Sequence, residues 1–231
     1  PRPGELAAAL LWLLLFTGLA VYSKENGLLL LWAVALVELC FFAGYLGGGH
    51  YRWLSAVTVT ACLLPALLAT ALFLHQPGLV LDAYEGRPFS LVERLQTQGR
   101  VLWRYVGWSL SPTGPGAGLH HDDVPISMGW LHPITTSVSA LAWAAVLAAA
   151  LLLRTRWPVF AFAVLFFLVM HSFESSIFAL EMVYEHRNYL PSVGLWMLAA
   201  WLLYQFCDRY AAHFLLPLSL VLMLAMAFAT G

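Results

Sequence analysis

Long apolar runs recur along this chain and limit what it can fold into. A transmembrane α-helix needs about 20 mostly apolar residues. With 61% hydrophobic and 10% charged residues in 231 positions, the chain lies outside the composition of soluble globular proteins. The predicted fold class is therefore all-α, a polytopic membrane helical bundle of about seven spans. The predicted spans are Leu6–Tyr22, Gly27–Leu46, Trp53–Leu74, Thr135–Leu153, Val159–Met170 with an extension to Phe178, Tyr189–Phe206 and His213–Thr230.

A polar insert, residues 75–134, separates the third and fourth predicted spans. Within it apolar residues recur at helical spacing, while polar residues take other faces. The apolar residues are Leu91, Leu95, Leu102, Tyr105 and Val106, and the polar ones are Glu93, Arg94, Gln98, Arg100 and Arg104. This pattern predicts an amphipathic helix near residues 90–110 that lies at the membrane interface and does not cross it. We treat residues 1–231 as a single membrane domain. Because the chain opens without Met, we expect it to be part of a longer protein.

Charges in the short loops predict an orientation. Arg154 and Arg156 lie in the tight RTRW turn after the fourth span, and the positive-inside tendency places that turn in the cytoplasm. By parity, the YSKENG motif, the polar insert and the EHRNYLPSVG motif share the outer face. Several arginines also lie on that face, against the usual bias, which indicates that they have a function there. We expect an integral, multi-pass membrane protein with these motifs on its outer face.

The segment ESSIFALEMVYEHRNYLPSVG, residues 174–194, is unusually rich in ionisable groups for this chain. Charged groups near a membrane are a functional hypothesis by default. If the fifth helix continued through this segment, acidic side chains would form one stripe on it. The predicted stripe is His171, Glu174, Phe178, Glu181 and Glu185.

A solvated helix end is the alternative for these carboxylates, and Glu174 and Glu181 fit it best. Glu185, His186 and Arg187 are adjacent in sequence, which favours pairing among them or a bound phosphate. The planar guanidinium of arginine suits phosphate.

Two further outer-face motifs carry polar chemistry. The loop GLHHDDVPIS holds His121, Asp122 and Asp123, which suit a general base, a divalent metal or a hydrated loop. It lacks the i, i+4 histidine spacing of helical zinc motifs, so an acid–base role is favoured over metal. In YSKEN, Lys24 suits an anion or snorkels to the headgroups, and Glu25 suits a helix N-terminus.

Several functional classes lack their signatures. The sequence contains no GxxxxGKS phosphate loop, no GxSxG elbow and no HExxH pair, which argues against ATP hydrolysis, α/β-hydrolase chemistry and zinc proteolysis. The net charge of −1 predicts no nucleic-acid partner. The three cysteines lie in apolar segments and are interpreted as core residues.

Three motifs, taken in order, resemble one family. YSKENGLLL is similar to the SKE segment of the multi-spanning O-mannosyltransferases that carry tetratricopeptide repeats, and of their bacterial relatives. EHRNYLPSVG resembles the family's ER-LYLPSVG segment and is closer to the bacterial version, ESS…LE…EHRNYLPS-G. LSPTGPGAGLHHDDVPIS occupies the place of an outer loop that bears an aspartate. The resemblance extends over residues 6–203, and EHRNYLPSVG is its specific motif.

The resemblance implies a C-type glycosyltransferase fold. Such an enzyme would transfer a sugar from a polyprenyl-phosphate carrier to a protein or glycan acceptor on the periplasmic or lumenal face. The family is expected to place a catalytic aspartate ahead of this sequence and tetratricopeptide repeats after it, so this chain is expected to be the C-terminal part of the membrane domain. His186 and Asn188 match only the bacterial version.

The expected site combines these motifs. The expected catalytic residues are Asp122, Asp123, Glu185 and His186. The expected substrate-binding residues are Lys24, Glu25, Arg104, His121, Arg187, Asn188 and Tyr189. Expected partners are a lipid-linked sugar donor, a protein or glycan acceptor and membrane lipids. No cofactor is required, with a divalent metal at the HHDD loop as an alternative.

Two other functions stay open at this stage. One is a glycan ligase or polymerase that uses a diphosphate-linked carrier. The other is a non-enzymatic transporter or assembly protein whose acidic residues relay protons.

Overall fold

A computed structural model describes residues 3–42, 67, 68, 70–110, 124–210, 217 and 223. In these ranges the structure is all-helical and contains no β-strand, which confirms the predicted all-α class. The chain divides into two compact units, Pro1–Leu79 and Val80–Gly231.

Among the described residues of the first unit, two helices are joined through a short turn, and residues 67, 68 and 70–75 are also helical. Lys24 follows the first helix in an extended conformation (φ −157°, ψ 141°). Gly27 is required in the turn because a Cβ there would lie 2.2 Å from the carbonyl carbon of Ala20. The elements are α1 (Pro3–Ser23), a 3₁₀ turn (Glu25–Leu28), α2 (Leu29–Val37) and a π-helical turn (Glu38–Phe42).

The second unit contains four longer helices. They are α3 (Leu91–Leu110), α4 (Thr135–Leu153), α5 (Pro158–His171) and α6 (Tyr189–Tyr210). Helix α5 packs against α4 and α6, and α3 also packs against α4 and α6. Short 3₁₀ turns precede α3 and α6, at Asp82–Tyr84 and Glu185–Asn188.

A capping box explains where α3 begins. The hydroxyl and the backbone N–H of Ser90 donate to Oε2 of Glu93, at 2.9 and 2.7 Å. The backbone N–H of Glu93 donates back to Oγ of Ser90. This reciprocal pair satisfies two donors that a helix N-terminus otherwise leaves without partners.

The core of the second unit is aromatic. Val101 and Tyr105 of α3 pack with Phe167 of α5 and with Val183. The ring of Trp143 on α4 stacks on Phe167 with centroids 5.7 Å apart. This cluster fixes α3 against the segment that joins α5 to α6.

Two helices among the described residues are long and apolar enough to cross a membrane, Thr135–Leu153 and Glu185–Arg209. Shorter apolar helices, Leu11–Ser23, Asn26–Phe42 and Pro158–His171, coincide with the first, second and fifth predicted spans. The third predicted span lies mostly outside the described residues. The seventh lies outside them except at Pro217 and Met223.

One expectation about the second unit is wrong. Helix α5 ends at His171, and turns follow from Ser172, so the predicted extension to Phe178 and the acidic stripe do not exist.

The predicted helix near residues 90–110 is confirmed as α3. Its buried side mixes polar and apolar residues, with Arg94 and Gln98 beside Val101 and Tyr105. Arg94 and Gln98 are buried there because they bind the backbone of the α5–α6 segment.

Candidate functional site

The segment that joins α5 to α6, residues 172–188, is held by the inward polar side of α3. Arg94 is fully buried and donates to backbone carbonyls at four positions of this segment. The distances are 3.2 Å to Ser176, 2.8 Å to Glu174 and 3.3 Å to Glu181, and a further bond reaches Leu180. One guanidinium thus shapes the whole turn, because its five donors can serve several acceptors at once.

Further along α3, other polar groups continue this attachment. Nε2 of Gln98 donates to the carbonyl of Met182 at 2.7 Å. The hydroxyl of Tyr105 donates to the carbonyl of Tyr184 at 3.1 Å and accepts from its backbone N–H at 2.9 Å. The spacing of 94, 98 and 105 keeps these donors on one side of the helix, so residues 174–184 follow α3 closely.

Four ionisable side chains meet on this frame and form the arginine–glutamate cluster: Arg87, Glu174, Glu181 and Arg187. Nε of Arg187 lies 3.4 Å from Oε2 of Glu174, and its Nη2 lies 3.3 Å from Oε2 of Glu181. Nη1 of Arg87 lies 3.3 Å from Oε1 of Glu181. Glu181 therefore bridges two guanidiniums that come from segments about 100 residues apart in the chain.

Burial and neighbouring charges act on the ionisable groups of the cluster and its surroundings. Burial is the main cause that lowers the pKa of Arg94, to about 10, and the charges of Arg187 and Arg87 also act to lower it. A hydrogen bond from its own backbone N–H lowers the pKa of Glu181, and the charges of Arg87 and Arg187 act in the same direction. The position between these two guanidiniums therefore favours an anionic group.

The EHRN turn presents side chains to both sides. Glu185 and His186 are exposed, and Tyr189 is 83% exposed. Asn188 is buried instead, and its amide donates to the carbonyl of Tyr105 at 3.1 Å. Arg187 turns inward, with 7% of its side chain exposed, so the partners of Arg187 are Glu174 and Glu181.

Of the other predicted site residues, Arg104 lies over the ring of Trp108, 5.0 Å from its centroid. Lys24 is exposed in the first unit, and nothing is described of the Glu25 side chain. His121, Asp122 and Asp123 lie outside the described residues. Within the described ranges, no group of three or more His, Cys, Asp or Glu residues is arranged to hold a metal ion.

No family model, curated protein or solved structure matches the chain. The resemblance to the O-mannosyltransferases therefore stays a prediction from its motifs. The geometry of the arginine–glutamate cluster is independent of that resemblance.

Sequence reasoning missed several residues of the site. It kept a solvated helix end as an alternative that fits Glu174 and Glu181 best, yet Glu174 is buried against Arg187. It noted an excess of outer-face arginine without finding partners for Arg87 and Arg94. That excess was the available signal, because arginine in an apolar chain needs acceptors.

Proposed function

We propose that the protein is a membrane glycosyltransferase that moves a sugar from a polyprenyl-phosphate-type carrier to a protein or glycan acceptor. The observation that carries the proposal is the arginine–glutamate cluster next to exposed Glu185 and His186. Guanidiniums bind the phosphate of a carrier. An exposed carboxylate and imidazole beside them can accept a proton from an acceptor hydroxyl. The motif resemblance supports the same chemistry.

Roles follow from this arrangement. Arg187 and Arg87 contact the carrier phosphate. Glu185 is the general base, assisted by His186, while Tyr189 contacts the sugar. The roles that the motifs predict for the other site residues stay part of the proposal: Lys24, Glu25, Arg104, His121, Asp122 and Asp123. Asn188 positions the turn through its bond to α3.

The proposed setting is a multi-pass protein of a bacterial inner membrane with this site on the periplasmic face. The two helices that are long and apolar enough to cross a membrane support membrane localisation. The turn with Arg154 and Arg156 supports the orientation, because basic residues favour the cytoplasmic side.

Transfer of radiolabelled sugar from a polyprenyl-linked donor, in membranes that carry the full-length protein, tests the proposal. Glu185→Gln should lower the transfer rate about 100-fold, as expected for loss of a general base. Glu185 is exposed, so this change should leave the thermal unfolding temperature unchanged. Asp208→Asn removes the same charge from an exposed position near the other end of α6; it is the matched control and should keep full transfer.

Other outcomes would replace the proposal. Undiminished transfer by Glu185→Gln would remove the assigned base. Transfer only from a diphosphate-linked oligosaccharide would identify a ligase or polymerase. An unchanged glycan profile with reduced solute uptake in a deletion strain would favour a transporter.

A further inference from the structure

Glu181 has the contacts of an exchangeable anion. Its two carboxylate oxygens are divided between two guanidiniums, Oε1 on Arg87 and Oε2 on Arg187, each at 3.3 Å. Its side chain is 51% exposed, so water reaches this bridge. Solvent screens exposed ion pairs of this kind and leaves them little net stability, so another anion can replace the carboxylate.

Glu174 has the opposite character. Its side chain is 9% exposed and holds Nε of Arg187 at 3.4 Å. The backbone carbonyl of Glu174 is in turn bound by Arg94. When the Glu181 side chain moves away, Arg187 therefore stays in place, with its Nη2 edge turned toward the vacated position.

Space for an incoming group lies beside Arg87. An open depression of about 500 Å³ is lined by Arg87 together with Tyr84, Glu85, Phe89 and Glu93. Of the two carboxylates in this lining, Glu93 is engaged by the backbone N–H and hydroxyl of Ser90. The depression opens to the surface, so a ligand can reach Arg87 without rearrangement of α3.

The two guanidinium edges select the ligand class. Arg87 and Arg187 both face the carboxylate of Glu181, and a phosphate offers enough oxygens to accept from both edges at once. A sugar-bearing polyprenyl phosphate is a phosphodiester with one negative charge, so it can replace the single charge of Glu181 between the two arginines.

We propose that Arg87 and Arg187 form a phosphate-binding site in which Glu181 is the resident anion that the incoming phosphate displaces. This inference deepens the proposed function and rests on it for the source of the phosphate, a lipid carrier. The displacement itself involves no covalent step. It makes Glu181 an internal competitor that sets the affinity of the site.

Calorimetric titration of the full-length protein in phosphatidylcholine nanodiscs with inorganic phosphate tests the site. Glu181→Gln keeps the shape of the side chain and removes the competing charge, and we expect binding about tenfold tighter than in the wild type. The double variant Arg87→Gln, Glu181→Gln should lose that gain. Asp82→Asn removes the same charge from an exposed position in the same region and is the matched control.

The results separate the site from its alternatives. An unchanged affinity in Glu181→Gln, or an equal gain in Asp82→Asn, would overturn the proposal, the second because overall charge would then explain the gain. Nanodiscs that contain phosphatidic acid test the lipid source, since occupancy by the lipid headgroup should reduce the binding of inorganic phosphate. Glu181-dependent phosphate binding without any sugar transfer would support this site and contradict the proposed transferase.

Discussion

Nε of Arg187 lies 3.4 Å from Oε2 of Glu174, and only 7% and 9% of these side chains are exposed. The contact of the same arginine with Glu181 is equally short, but Glu181 is 51% exposed. Burial makes the first pair part of the fold, because a buried charge that loses its partner is strongly unfavourable. Solvent screens the second pair, which leaves it available for exchange.

Glu174→Gln should destabilise the protein far more than Glu181→Gln. Loss of the buried carboxylate leaves the Arg187 guanidinium with an unsatisfied edge and should lower the free energy of unfolding by about 3 kcal/mol. Glu181→Gln should lower it by less than about 1 kcal/mol. Denaturant titration in detergent micelles measures both values. Equal losses would contradict the division between a buried and an exposed pair.

Arg94→Lys should loosen the α5–α6 segment. A lysine has three donors on one atom and cannot reach all four carbonyls that Arg94 now serves. Each buried carbonyl left without a partner costs about 1–3 kcal/mol. Hydrogen exchange should therefore become faster across residues 172–184.

Arg100→Lys is the control on the same helix. Arg100 donates to the carbonyl of Pro125 at 2.7 Å from an exposed position, where water can replace the lost bond. The rate of hydrogen exchange in residues 172–184 of Arg100→Lys should therefore equal that of the wild type. Faster hydrogen exchange in both variants would show that α3 as a whole has become less stable, and would not report on the Arg94 contacts.

The capping box at the start of α3 predicts a pH dependence. The backbone N–H and the hydroxyl of Ser90 lower the pKa of Glu93 below its ordinary value of 4.5. Because the folded pKa lies below the unfolded one, ionised Glu93 stabilises the fold above pH 4.5, and this contribution is lost as the pH falls through the folded pKa. Glu93→Gln should therefore lower the unfolding temperature at neutral pH, and its curve should meet that of the wild type in acid.

Ser90→Ala checks the origin of that difference. Loss of the N-cap hydroxyl should lower the free energy of unfolding by about 1 kcal/mol. Added to Ser90→Ala, Glu93→Gln should have a smaller effect than in the wild type, because one of its two donors is already absent. Fully additive effects would show that the two side chains act independently.

Helix positions could be predicted from sequence because they depend on local pattern. The apolar run predicted Thr135–Leu153, and the structure has α4 at the same bounds. The helix near residues 90–110 followed from its periodicity, and Ser90 with Glu93 marks its start. Such signals lie within a few residues of the element that they specify.

The site depended on contacts that no local pattern contains. Arg94 and the carbonyl of Glu174 are 80 positions apart, and the turn after His171 replaces helical bonds with bonds to α3. The periodicity predicted Glu174 on a continuation of α5, but α5 ends at His171. The buried side of α3 could not be predicted either. Its polar residues can be buried because they hydrogen-bond to backbone groups of a distant segment.

The contact between α5 and α6 depends on a residue without a side chain. A Cβ at Gly194 would lie 2.9 Å from the carbonyl oxygen of Ala163 and 3.2 Å from Cδ1 of Phe166. Small residues let helices approach this closely in membrane proteins. Gly194→Ala should therefore force the helices apart and lower the free energy of unfolding by about 2 kcal/mol.

Gly107→Ala, within α3, should raise the free energy of unfolding, in contrast to Gly194→Ala. No atom lies within 4 Å of a Cβ at Gly107, and alanine is favoured over glycine in a helix by about 1 kcal/mol. Denaturant titration of both variants in the same detergent should give changes of opposite sign. Stabilisation by Gly194→Ala would mean that α5 and α6 do not pack through Gly194.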